Sequence, residues 1–118
     1  KFGRIVTVSS IAGLRERENQ LPYSTSKAAV IALTRCAAEA WGRHNVRVNC
    51  LCPGLTETEM AHTLSPEDHE RIIGATPLGR IGQADEVAGV ARFLLSDQSS
   101  YMTGQTVVTS GGRVMLPG

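Results

Sequence analysis

The sequence predicts an α/β protein built on a parallel sheet, and three observations carry that prediction. A β-branched run, Arg4 to Ser9 (R-I-V-T-V-S), is followed by an alanine-rich helical stretch from Tyr23 to about Trp41. A second apolar run, Val46 to Cys52 (V-R-V-N-C-L-C), comes next. Strand, long helix and strand make a crossover unit, in which the strands run parallel and the connection is right-handed. Both runs end in small or turn-forming residues, Ser9-Ser10-Ile11-Ala12-Gly13 after the first and Pro53-Gly54 after the second. Ligands of open α/β sheets bind outside the carboxyl ends of the strands, so these two ends mark the rim where chemistry is expected.

Taken in order, the first run has the composition of a strand buried on both faces. Ser10 stands at its carboxyl end, in the right place for chemistry, although serine is also a common loop residue. Leu14 to Gln20 alternates its charges and reads as a solvated loop. Pro22 fits the first turn of the helix, where its missing N–H costs nothing. Val30, Leu33, Thr34, Ala37 and Trp41 then recur at helical spacing, and the many alanines leave a slim helix for a sheet or a twin helix to approach. Gly42 stops it, and Asn45 turns the chain into the second strand.

Leu55 to Gly82 is less regular. Ser65-Pro66-Glu67-Asp68 is a helix start, with a serine cap, proline at the first position and acids in the first turn. That helix is expected to end near Gly74, and Thr76-Pro77-Leu78-Gly79 breaks the chain again. So long an excursion from the rim reads as a lid or as a plain surface insertion. His62 and His69 lie in it and His44 in a turn, and all three are expected to be exposed. Ala84 to Ser96 is amphipathic, with Val87, Val90, Ala91 and Leu94 on one stripe. A third strand, Gln105 to Thr109, leads into Ser110-Gly111-Gly112.

The chain has 118 residues, 42% of them hydrophobic, which suits a single domain with a buried core. A formal charge of +1 with no basic stripe argues against nucleic acid and acidic membranes as partners. No uncharged apolar run is long enough to cross a bilayer, and the opening residues read as a strand, not a secretion signal. Cys36, Cys50 and Cys52 are odd in number and two lie in an apolar strand, so core thiols of a cytoplasmic protein are expected. No second ligand pair accompanies Cys50 and Cys52, so no metal site is expected.

The chemistry is expected at Gln20 to Lys27 (Q-L-P-Y-S-T-S-K). Tyr23 and Lys27 stand at i and i+4, on one face of the helix, at its mouth. An ammonium that close favours a phenolate, which suits Tyr23 to proton transfer. Spacing alone is weak, because a tyrosine capping a helix and a solvated lysine make the same pattern. Its context strengthens it: the crossover brings Ser10, Tyr23, Lys27 and Pro53-Gly54 to one rim.

These residues resemble the classical short-chain dehydrogenase/reductases over nearly the whole chain. The resemblance rests on I-V-T-V-S-S at the strand end, Y-S-T-S-K, V-N-C-L-C-P-G, T-P-L-G-R-I-G before A-D-E-V-A, and M-T-G-Q followed by G-G. It implies the carboxyl-terminal half of a doubly wound, Rossmann-like parallel-sheet domain, similar to 3-oxoacyl-carrier-protein reductases. By resemblance, Ser10 holds the substrate oxygen, Tyr23 passes the proton, and Lys27 binds the nicotinamide ribose and tunes the phenol. Tyr23 thus also touches the cofactor, Pro53 and Gly54 lie against the nicotinamide, and Thr56 and Thr58 contact its carboxamide and the neighbouring phosphate. The implied cofactor is NAD or NADP, the substrate a small alcohol or carbonyl compound, and the assembly a dimer or tetramer of like chains.

The Gly-rich pyrophosphate turn, the residue that separates NAD from NADP, and the N-A-G segment of the family pattern belong upstream of Lys1. Residues 1–118 are therefore expected to be the catalytic half of one domain, inactive without the dinucleotide-binding half. Ser110 stands where an acid or amide often precedes the glycines, and Leu14 to Gln20 is more charged than usual. A second reading is a non-enzymatic assembly module that uses the alanine-rich helix, the last helix and the last strand.

Overall fold

The computed structural model describes residues 1–117, and of Met60 the backbone alone. Its elements are β1 (Gly3–Val8), α1 (Leu21–Trp41), β2 (Val46–Pro53), β3 (Thr56–Glu57), α2 (Pro66–Gly74), β4 (Gly82–Gln83), α3 (Ala84–Leu94) and β5 (Thr106–Thr109). β2 is the central strand of a parallel sheet of order β1-β2-β5, with Val8 opposite Leu51 and Cys50 opposite Thr106. This is the parallel crossover that the strand, helix and strand pattern implies. A second parallel pair joins Thr56–Glu57 to Gly82–Gln83 and closes the long excursion at its base. Strands of two residues carry no periodic signal, so the sequence pattern does not reveal them.

Local chemistry accounts for the helix ends. Ser65 Oγ accepts from the Asp68 N–H at 3.1 Å, with Pro66 next in the first turn of α2. α3 opens with a capping box between Gln83 and Glu86. After α1, Asn45 takes a left-handed conformation (φ 59°), which asparagine tolerates better than most residues.

The core centres on β2, where Val48, Cys50, Leu51 and Cys52 are all buried. α1 covers one face of the sheet. Ile31 packs against Cys50 and Cys52, and Ala37 and Ala38 against Val48. Thr34, also buried, shares a 2.6 Å hydrogen bond with Thr7 across that interface. Against the other face, Leu94 of α3 is buried, a contribution of about 1.5–3 kcal/mol. Arg47 donates to the carbonyls of Leu94, Ser96 and Met102 at 3.4, 3.0 and 3.2 Å, which fastens the end of α3 to the central strand.

Three expectations are corrected. β1 is not buried on both faces: Ile5 is 41% and Val8 54% exposed. Among the described residues β1 has a strand partner on one side only, and α1 lies mainly over β2. Leu33 and Trp41 face solvent, because the alanines of α1 occupy the close approach to the sheet. Cys36 is exposed, so only Cys50 and Cys52 are core thiols.

Candidate active site

The end of β1 positions two serines differently. The Ser9 N–H donates to Leu51 at 2.8 Å, and its buried hydroxyl donates to the backbone carbonyl of Lys27 at 2.6 Å. Ser10 is extended and caps the 3-10 turn Ile11–Gly13, its Oγ accepting from the Ala12 N–H at 3.1 Å. A hydroxyl has two lone pairs and one proton, so that cap leaves Ser10 a proton to donate and a lone pair to offer. Gly13 rests on the same helical peptide. A Cβ there would stand 2.8 Å from Lys27 C and 2.9 Å from Ala28 N. The serine turn is thus latched at two points to the helix turn that carries Lys27.

Tyr23 and Lys27 share the face expected from their spacing, with Nζ 5.7 Å from the phenol ring centroid. Nζ also donates to the Val8 carbonyl at 3.4 Å, which leaves two N–H donors unspent. Tyr23 is 42% exposed, open to a ligand from the rim. Lys27 therefore stands between the serine turn, which packs on its backbone, and the Tyr23 ring, which faces its ammonium, although Ser10 and Tyr23 lie on opposite sides of the Leu14 to Gln20 loop in sequence.

Pro53 ends β2 beside them. The Gly54 N–H donates to Thr109 at 2.9 Å, and a Cβ at Gly54 would lie 3.1 Å from Ser110 Cα and 3.7 Å from Ile11 Cδ1. The ends of β2 and β5 thus meet so closely that a side chain at position 54 would crowd Ser110. Thr56 spends its hydroxyl on the Gly54 carbonyl at 3.1 Å. Thr58 caps the Glu59–Thr63 turn without a side-chain bond and is exposed. Both threonines follow directly on the rim, further out than Gly54.

Beyond them a cavity of about 550 Å³ opens against α2, lined among others by Glu57, His62, His69 and Ile73. His62 and Glu57 pair at 2.6 Å. His69 is half-buried, not exposed as expected, because it turns into this cavity. Cys50 and Cys52 stand with their sulfurs 4.0 Å apart behind the serine turn. Hydrogen bonding to Cys50 and burial push the Cys52 thiol up, so it stays protonated and inert.

Ser9 and Gly13 are the residues that sequence reasoning missed. The only signal was the serine pair itself, which does not say which hydroxyl faces the rim and which faces the helix.

Residues 1–113 match the family described as enoyl-(acyl carrier protein) reductase. The chain is 42% identical to 3-oxoacyl-(acyl-carrier-protein) reductase FabG of Chlamydia muridarum, over 95% of this chain and 45% of that protein. It is 40% identical to acetoacetyl-CoA reductase of Shinella zoogloeoides, over 98% of this chain and 48% of that one. Among solved structures it is similar to a gluconate 5-dehydrogenase from Burkholderia cenocepacia in complex with NADP and tartrate. The TM-score there is 0.91 at 35% identity, covering 95% of this chain and 45% of the other. A 7α-hydroxysteroid dehydrogenase complexed with NADH and a bile-acid derivative gives 0.89 at 35% identity, covering 93% and 44%. The chain thus spans slightly less than half the length of the relatives it matches.

Proposed function

The chain belongs to the short-chain dehydrogenase/reductases, and from that premise we propose that it is the catalytic half of an NAD- or NADP-dependent oxidoreductase acting on an alcohol or carbonyl compound. The observation that supports this reading is the latch between the serine turn and α1, Ser9 and Gly13 against the backbone of Lys27, with the Lys27 ammonium in turn over the Tyr23 ring.

The residues fit one end of a dinucleotide. Lys27 has two free N–H donors for ribose hydroxyls, and Pro53 and Gly54 offer backbone at the rim. Among the described residues the rim glycines do not suit the pyrophosphate, because they are spent on packing: Gly13 on Lys27, Gly54 on Ser110, Gly111 on Thr76 and Gly112 on Pro77. The pyrophosphate needs bare glycine backbone at a helix mouth. Dinucleotide binding and turnover are therefore assigned to these residues joined to a segment that supplies such a turn, and the 118 residues alone are inactive.

The bound nicotinamide supplies or accepts the hydride. The protein's own part is at the substrate oxygen. Ser10 donates a hydrogen bond from its free hydroxyl to that oxygen and fixes it, and the Tyr23 phenol gives it a proton in reduction, while the Tyr23 phenolate takes one in oxidation. The Lys27 ammonium stabilises the phenolate that reduction leaves behind. Two donors aimed where negative charge develops stabilise the transition state more than the ground state. Thr56 and Thr58, which follow the rim, would contact the carboxamide and the adjoining phosphate of the cofactor. Assembly as a dimer or tetramer fits the exposed Leu33 and Trp41 on α1.

The test is nicotinamide oxidation followed by absorbance in the full natural chain and in Tyr23→Phe. Turnover is expected to fall by roughly 10²- to 10⁴-fold, with cofactor affinity by nicotinamide fluorescence nearly unchanged. Near-normal turnover in the variant removes Tyr23 from its role. Saturable cofactor binding by residues 1–118 alone removes the need for a second half.

A further inference from the structure

Leu55 to Glu57 carries Thr56 away from the rim, and little beside the segment holds it in place. A cavity of about 170 Å³ lies against it, lined among others by Leu55, Arg80, Gly82, Glu86, Thr109 and Ser110. No hydroxyl of β5 or its glycine turn reaches across. Thr109 Oγ1 is sealed from solvent without a hydrogen-bond partner, and Ser110 Oγ is spent on Val114, accepting from its N–H at 3.1 Å and donating to its carbonyl at 3.3 Å. The Thr56 hydroxyl turns two residues back, to the Gly54 carbonyl. Among the described residues the long-range hydrogen bonds of this segment run to β4 instead. The Gly82 N–H donates to the Leu55 carbonyl at 3.1 Å, and Thr56 and Glu57 stand opposite Gly82 and Gln83 in parallel register.

A pair of two-residue strands is too short to fix itself. One carboxylate supplies the anchor. Glu86, in the first turn of α3, takes Arg80 Nη1 and Nη2 on its two oxygens at 2.7 and 2.9 Å, and Oε1 also accepts from the Gln83 N–H at 2.9 Å. Arg80 and Gln83 flank Ile81-Gly82, so a single side chain grips both ends of the stretch that pairs with Thr56. Exposed ion pairs usually contribute little, but a forked arginine–carboxylate pair fixes direction as well as distance. α3 is itself held to the sheet, with Leu94 buried and Arg47 of β2 donating to the carbonyls of Leu94 and Ser96. The place of Thr56 is thus referred to the central strand through β4, Glu86 and α3, and not through packing across the cavity.

We propose that Arg80 and Glu86 are positioning residues for the cofactor: their fork sets Thr56 and Thr58 where the nicotinamide end meets them. The cofactor part rests on the oxidoreductase reading, whereas the clasp on β4 does not. The cavity gives the clasp its purpose. With open space beside it, the segment leans inward once the fork is broken, and the threonines leave their register with the ligand.

The test compares the full natural chain with Arg80→Gln, which opens the fork but leaves Glu86 bonded to the Gln83 N–H, so that the cap of α3 survives. Amide exchange by NMR should quicken roughly tenfold at Gly82 and stay unchanged at Gly54, whose N–H donates to Thr109 in the main sheet. The Kd of NADH or NADPH, whichever wild type binds, is read by nicotinamide fluorescence where both proteins are fully folded. It should rise roughly tenfold in the variant. Arg80→Lys restores the charge without the fork and should recover only part of that affinity. A structural role alone would lower the urea midpoint and leave Kd in place. Unchanged exchange at Gly82, or faster exchange with an unchanged Kd, overturns the proposal. Absence of saturable cofactor binding in wild type instead removes the oxidoreductase reading and the cofactor part with it, and exchange at Gly82 still decides the clasp.

Discussion

The hydroxyl of Ser9 donates to the backbone carbonyl of Lys27 across 2.6 Å, and that bond ties the end of β1 to α1 close to Tyr23. Ser10 is the next residue, so the distance from its hydroxyl to the phenol and the ammonium depends on a bond that Ser10 does not make. Ser9→Ala should lower stability by about 1 kcal/mol, the net contribution of a typical hydrogen bond, read from urea unfolding. Turnover should fall further than that loss implies, because the serine turn gains freedom. Unchanged kcat with the lower stability would confine Ser9 to a structural role.

Gly13→Ala tests the second latch. The new methyl would lie 2.8 Å from Lys27 C and 3.0 Å from Lys27 O, both backbone atoms that cannot swing aside. Overpacking of this kind costs about 1–3 kcal/mol. The urea midpoint should fall with an unchanged slope, whereas Gly42→Ala, with no atom within 4 Å of its Cβ position, should be mild by comparison.

Glu86 sets an acid limit at the start of α3. Hydrogen bonds from Arg80 and from the Gln83 N–H hold its carboxyl down to about 2 from an ordinary 4.5. A depressed value means that the folded state favours the ionised form. The stabilisation is therefore complete above about 4.5 and fades as the pH falls toward 2. Carboxyl chemical shifts should report that low midpoint in the folded protein. Glu86→Gln should flatten the pH dependence of stability across the same window, and high salt should weaken the effect because the pair is exposed to solvent.

Thiol labelling checks the core. Cys36 is exposed, while Cys50 and Cys52 are fully buried. A soluble disulfide reagent should modify Cys36 at once in the native protein and the other two only at the rate of unfolding. Fast modification of Cys52 would place the sheet differently from its packing against Ile31.

Much of this architecture was legible because its signals are local. Ser65-Pro66 announced α2 through a cap and a proline, and the alternation of strand, alanine-rich helix and strand announced the crossover. The contacts that assemble the site were less visible. Nothing in the sequence distinguishes a serine that faces the helix from one that faces the rim, since Ser9 and Ser10 differ only in register. Leu33 and Trp41 were misjudged for a related reason: helical spacing marks a face, but the sheet chose the alanines beside it, which permit closer approach. The half-buried state of Arg15, Arg17 and Arg113 was hidden too. An alternating charge run looks solvated until the fold turns its arginines inward and its glutamates outward.

The parallel pairing of β1 with β2 has a kinetic consequence. Parallel neighbours cannot zip from a tight hairpin; they meet only when the long crossover through α1 brings the chain back across itself. Ser10 lies just before that crossover helix, Tyr23 and Lys27 in its opening turns, and Pro53 and Gly54 just beyond its return strand. A refolding chain therefore acquires the whole constellation in the same event that closes its core. Half-folded species of the full natural protein should carry none of the proposed activity, and its recovery should track the slow, long-range step rather than early helix formation.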